Sequence, residues 1–255
     1  MNKQHMAKVN NQEEKMNISD APSAFRLTSI FSCIVILLPF ITHFLAAYIE
    51  QFLATFFPVH AITLLTSAYL QDIVMYGFLT ILLFFYLRAS LEPLKTYGWT
   101  WKNDYLGVAI ITGLIAGITM YGIDTATGYD FSTMPPFSLT ALIGVFVGAA
   151  LLPALFEETL FRGVIQSAYQ RITQKNLGSL ALAIIIASAF EIAFHLVFPL
   201  YFGGIGVAIL GQIAYVAVFG SIGGYLYYRT GSIVTPITIH LIGNFTEYAL
   251  VWILR

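Results

Sequence analysis

Long apolar stretches separated by short polar or aromatic connections set the pattern of this chain. A helix needs about 20 residues to cross a bilayer, and by that measure the pattern predicts seven spans, at about 27–49, 60–88, 104–123, 138–172, 177–198, 204–228 and 232–254. The expected fold class is all-α, a polytopic transmembrane helical bundle of about seven spans within a range of six to eight. A polar tail, 1–23, precedes a transmembrane domain, 24–255. The first run, from Leu27 to about Ile49, is too long for a secretory h-region and is followed by no small-residue cleavage site, so it reads as a retained helix. The stretch from His60 to Arg88 fits either a tilted helix or a shorter one with an interfacial lead-in after Pro58. Leu91 to Asp104, with Pro93, Trp99 and Trp101 among Lys95 and Lys102, reads as an interfacial connector, because indole rings favour the headgroup region.

Composition excludes a soluble domain of average usage: 58% of residues are hydrophobic and 10% charged, with a net charge of -1 and a mean hydropathy of +0.79. The expected partners are a lipid bilayer and a membrane-associated peptide or protein, with no nucleic acid; oligomeric state is left open. Basic residues order the topology, because short cytoplasmic loops are enriched in Lys and Arg. With the tail inside, Lys3, Lys8, Lys15, Arg26, Arg88, Lys95, Lys102, Arg171, Lys175 and Arg229 all fall on the cytoplasmic side, and Arg255 alone falls outside. The expectation is a multipass protein of the cell membrane with a cytoplasmic N-terminus. The single cysteine, Cys33, offers no disulfide framework and reads as a small packed side chain. Small residues four apart, in Gly113/Gly117, Gly144/Gly148 and Gly220/Gly224, read as close helix contacts.

Ionisable groups inside such a bundle need a partner or a purpose. They are Asp72, Glu157, Glu158, Arg162, Glu191, His195, His240, Asn244 and Glu247, counting the amide with them. At about 100° per residue, Glu158 and Arg162 share a helical face, which leaves Glu157 free to one side. His240, Asn244 and Glu247 fall on a common face of the last span. Glu157 and His195 are each 19 residues from Asn176 (176 − 157 and 195 − 176), so an antiparallel pair turning there brings them to similar depth. A carboxylate, two imidazoles and an amide meeting in a wet cavity suggest hydrolysis: one group takes a proton from water while donors steady an oxyanion. Taken alone, a histidine such as His43 or His60 reads as packed or interfacial.

These residues resemble a known family. Glu157-Glu158-Thr159-Leu160-Phe161-Arg162 resembles the EExxxR motif of the CPBP intramembrane proteases, which include type II CAAX prenyl endopeptidases and Abi-like bacterial proteins. His195 fills the histidine of the second motif, and His240 with Asn244 matches the third, HxxxN, within a core of 138–250. The second motif usually reads FxxxH, whereas here Glu191 stands four residues before His195 and Phe190 is displaced by one. Glu191 then reads either as a carboxylate orienting the His195 imidazole or as a charge lining a wet cavity.

The resemblance implies that Glu157, assisted by His195, activates water, that His240 and Asn244 stabilise the oxyanion, and that Glu158 and Arg162 hold the site together. It implies a CAAX-protease-like intramembrane glutamate or metallo-endopeptidase acting on a prenylated CAAX-type protein or a bacterial peptide precursor. No cofactor is certain: Glu157, His195 and His240 offer a three-ligand zinc set, yet HExxH is absent and a metal-free glutamate mechanism uses the same residues. The alternative is a non-catalytic bacteriocin-immunity or accessory membrane protein on the same scaffold. A transporter is the further rival, and internal inverted symmetry, its usual mark, is not seen.

Overall fold

The computed structural model describes residues 69–90, 92–172, 177–202 and 207–255, together with Phe44, Tyr48, Phe52 and Thr55, all four helical. The tail 1–23, the first expected span apart from Phe44 and Tyr48, and with them Cys33, His43 and His60, lie outside the described residues. The described residues form helices and no strand. We number them α1, Tyr69–Ala89; α2, Leu106–Thr127; α3, from Leu139 to Ile172; α4, Leu177–Phe202; α5, Val207–Thr230; and α6, Val234–Leu254. Among the described residues five segments are long and apolar enough to cross a membrane: Asp72–Ala89, Leu106–Thr127, Leu139–Arg171, Ile209–Thr230 and Val234–Leu254. A shorter apolar segment, Leu180–Leu196, lies within α4. The protein is a multipass helical membrane bundle, as the pattern of apolar runs predicts.

Element boundaries follow local chemistry. Gly128 ends α2 in the left-handed region at φ 75°, its N–H reaching the carbonyls of Asp124 and Thr125. The Ser138 side chain accepts from the Ala141 amide at 3.1 Å and so caps the start of α3. The connector after α1 contains a short 3₁₀ turn, Leu94–Tyr97, and leaves Trp101 79% exposed, as an interfacial indole requires. It is also pinned inward: Ile233 N donates to Gly98 O at 2.9 Å and Lys102 Nζ to Thr230 O at 2.5 Å.

Glycines set two of the helix contacts. A Cβ on Gly117 of α2 would stand 2.4 Å from Gly243 O on α6, and one on Gly113 would stand 2.8 Å from Ile242 Cβ, so α2 and α6 run parallel at backbone contact. Gly144 and Gly148 admit Tyr69 of α1 in the same way. Leu79, Leu83 and Leu87 of α1 close an apolar core with Phe156, Leu160 and Phe161 of α3 and Phe194 of α4. Ile81, Phe85, Ile111 and Ile115 are exposed and face outward, where lipid is the solvent.

The two ends of the bundle differ in charge. Arg88, Lys95, Lys102, Arg171 and Arg229 belong to helix ends and connections that meet at one end, joined there by the Arg171–Glu92 ion pair and the Gly98–Ile233 bond. At the opposite end Arg255 donates to the carbonyls of Met134 and Ser132, and Trp252 to that of Pro135.

Candidate active site

α3 is not one regular helix. Its α-helical parts, Leu139–Gly144, Leu152–Glu158 and Ser167–Ile172, are joined by wider π-helical turns at Val145–Leu151 and Thr159–Gln166, a feature that often accompanies functional sites. Pro153 gives a local reason for the first. In an α-helix the Ala149 carbonyl would accept from residue 153, and proline has no N–H to give. That carbonyl accepts from Asn244 Nδ2 of α6 at 2.9 Å. At the end of the second wide turn, Ser167 Oγ donates to the carbonyls of Gly163 and Val164.

Between the two wide turns, α3 presents Glu157 and Glu158, each less than 5% exposed. Arg162 Nε stands 3.3 Å from Glu158 Oε2, an ion pair without hydrogen-bond alignment, so the expected pairing on one face is found. The same guanidinium donates through Nη2 to Glu191 Oε2 at 2.5 Å. His240 Nδ1 completes the row at 3.1 Å from Glu158 Oε1. Four charged or chargeable groups from α3, α4 and α6 thus neutralise one another in the core, as buried charges must.

Glu157 has a different environment. Its Oε1 accepts from the Tyr76 hydroxyl of α1 at 2.7 Å, while its Oε2 is buried without a hydrogen-bond partner. Two imidazole nitrogens converge on that orphaned oxygen, His195 Nε2 at 3.8 Å and His240 Nε2 at 4.0 Å. The depth inferred from equal distances to Asn176 is met, although the connection 173–176 itself lies outside the described residues.

Glu191 goes to Arg162, and its side chain does not orient the His195 ring. It is the backbone carbonyl of Glu191 that meets His195 Nδ1, at 2.9 Å. A carbonyl only accepts, so Nδ1 carries the proton, and in the neutral ring Nε2 is a bare acceptor. Gly220/Gly224 make the close helix contacts expected of them, Gly224 against Ile184 of α4 among others, and they also admit polar groups. A Cβ on Gly220 would lie 2.8 Å from Glu191 Oε2 and 2.9 Å from Arg162 Nη2, and one on Gly224 would lie 2.8 Å from Gln166 Oε1. These glycines make room for the polar cluster.

A cavity of about 690 Å³ opens onto this centre, lined by Glu157, Glu158, Glu191, His195, His240 and Asn244 together with Tyr76. Its far part holds Asp72, Asp124 and Glu247 with Tyr129. Burial, then the charges of Asp124 and Glu247, raise the Tyr129 phenol above its usual value. Sequence reasoning missed Tyr76, although Tyr69, Asp72 and Tyr76 at i, i+3 and i+7 mark one polar stripe on an otherwise apolar helix.

The zinc set does not fit well. Two ligand atoms on a tetrahedral zinc at about 2.0–2.1 Å stand roughly 3.3 Å apart, shorter than either Nε2 to Glu157 Oε2 separation. Among the described residues no group of three His, Cys, Asp or Glu side chains is placed to hold a metal ion.

Membrane helices here enclose a carboxylate, two imidazoles and an amide around one cavity. Residues 137–246 match the family model described as Type II CAAX prenyl endopeptidase Rce1-like, and the three motifs resemble the same CAAX-protease group. Comparison with curated proteins and with solved structures found no match.

Proposed function

We propose that this chain is an intramembrane endopeptidase in which Glu157 activates the attacking water. The observation that carries this is the convergence of His195 Nε2 and His240 Nε2 on the unpaired Glu157 Oε2. Glu157 Oε2 and His195 Nε2 are two acceptors separated by a gap that a water molecule spans, donating one hydrogen to each. On attack, a water proton passes to Glu157, the oxygen bonds to the carbonyl carbon, and the carbonyl oxygen takes the charge. His240, held through Nδ1 by Glu158, turns Nε2 to the cavity and donates to that oxyanion when protonated. Asn244 has one N–H held by Ala149 O and a second to offer. Collapse breaks the C–N bond, and the proton on Glu157 goes to the departing amine. Arg162, itself held by Glu191, holds Glu158 and through it His240. No step needs a metal ion, and zinc content with activity after chelation tests that.

The family match supports a peptide bond in a membrane-associated substrate, with a prenylated CAAX-type protein and a bacterial peptide precursor as candidates. The gathering of basic residues at one bundle end supports a cytoplasmic placement of that end. The test is mass-spectrometric detection of products from a farnesylated CAAX-type peptide and from an unprenylated, lipid-anchored one. Glu157→Gln is expected to slow cleavage by about 10²–10⁴-fold, the usual weight of a general base, while the protein stays folded. Full biological function in Glu157→Gln and His240→Ala cells would instead support the immunity or accessory role.

A further inference from the structure

The cavity has a second acidic region that the hydrolytic centre does not use. Six carboxylates line the cavity and no Lys or Arg does among the described residues. Three belong to the centre; the others are Asp72, Asp124 and Glu247, from α1, α2 and α6. None of these three forms an ion pair among the described residues. Asp124 and Glu247 lie against each other, and Tyr129 is within range of all three charges. Asp124 and Glu247 share a proton across their hydrogen bond, so the group still carries negative charge, and with no cation beside it among the described residues the balance comes from elsewhere.

A second observation points to a ligand. Tyr69 lines the same cavity, is only 3% exposed, and its hydroxyl, buried beside Asp72, has no hydrogen-bond partner. Its ring meets Tyr248 edge to face, with centroids 6.2 Å apart. An aromatic wall beside acidic groups suits an organic cation, which gains from both charge and ring faces. A divalent metal suits the place less, since among the described residues no three acidic side chains are placed to ligate one.

We infer that Asp72, Glu247 and Tyr69 form a specificity pocket for a Lys or Arg side chain of the peptide substrate. The inference rests on the proposed endopeptidase reading. Spacing gives it a register. Glu247 lies seven residues beyond His240 on α6, roughly 10 Å at about 1.5 Å per residue. An extended peptide covers that distance in roughly three residues at about 3.3 Å each. The basic side chain therefore sits roughly three positions from the scissile bond.

The test uses the full chain in lipid nanodiscs, carrying Glu157→Gln to block turnover, with a fluorescent apolar peptide containing one lysine and its norleucine counterpart as probes. The lysine peptide is expected to bind at least about tenfold tighter, the effect of one charge-assisted contact. Asp72→Asn and Glu247→Gln each remove that advantage without changing norleucine binding, and Tyr69→Phe reduces it. With wild-type protein, moving the lysine along the peptide places cleavage roughly three residues from it. Equal binding of the two peptides, failure of both to bind, or a lysine advantage that survives both carboxyl substitutions overturns the pocket. Lysine-selective binding without cleavage counts against the hydrolytic reading alone. Cleavage that ignores lysine position removes the pocket and leaves the protease.

Discussion

Tyr76 and Gly220 show how single residues far apart in the chain shape one centre. The Tyr76 hydroxyl holds Glu157 Oε1, so Oε2 alone faces the imidazoles. Hydrogen bonds to charged groups are worth about 1.5–3 kcal/mol, so Tyr76→Phe is expected to lower kcat by roughly tenfold or more while KM changes little. An unchanged kcat would detach Tyr76 from the reaction. Gly220 leaves the space that Glu191 and Arg162 fill. Gly220→Ala forces a methyl group against both, and overpacking of this kind costs about 1–3 kcal/mol. A lower unfolding temperature in detergent is the expected reading. A variant as stable as the parent would show that the cluster can shift aside.

Among the elements, α3 carries the most information per residue. Pro153 removes the amide that the Ala149 carbonyl would meet in an α-helix, and Asn244 crosses from α6 to donate to that carbonyl. The bond ties the family-type HxxxN face to the doublet-bearing helix, so that site and scaffold share one contact. An orphaned buried carbonyl costs about 1–3 kcal/mol, which is the destabilisation expected for Asn244→Ala. In Pro153→Ala the restored amide competes for the same carbonyl. The double variant should therefore lose less than the sum of the two single variants, and additive losses in thermal unfolding would refute the coupling.

Over the whole molecule, alternation of spans places the connection near residue 130 and the facing ends of α3 and α4, at Ile172 and Leu177, at opposite ends of the bundle. Reporter fusions after residue 130 and after residue 175 are expected to report opposite sides of the membrane, and the same side from both would overturn the span order. The span limits were legible in the sequence: the run expected at 104–123 is helix Leu106–Thr127, and that at 232–254 is Val234–Leu254. Hydrocarbon thickness sets such limits, so apolar length alone reveals them. The run from His60 is described only from Tyr69 onward. The pairing of Glu158 with Arg162 was equally legible, because it lies within one helical turn.

Glu191 marks the boundary of what local reasoning reaches. Its four-residue spacing suggested the His195 ring as a partner, but the Arg162 guanidinium is within reach only once α3 and α4 pack. Tyr76, Gly220 and the wide turns of α3 are of the same kind, each depending on a neighbour far along the chain, on another helix, or on backbone geometry that side-chain periodicity does not report. The amino-acid sequence by itself determined an all-helical membrane bundle, its span limits and the residues able to do acid–base chemistry, since hydropathy and residue type are properties of short stretches. The tertiary structure alone decided what meets the Glu157 carboxylate that the Glu158–Arg162 pairing leaves free, Tyr76 at Oε1 and two imidazoles at Oε2, because that depends on which groups long-range packing delivers to each oxygen.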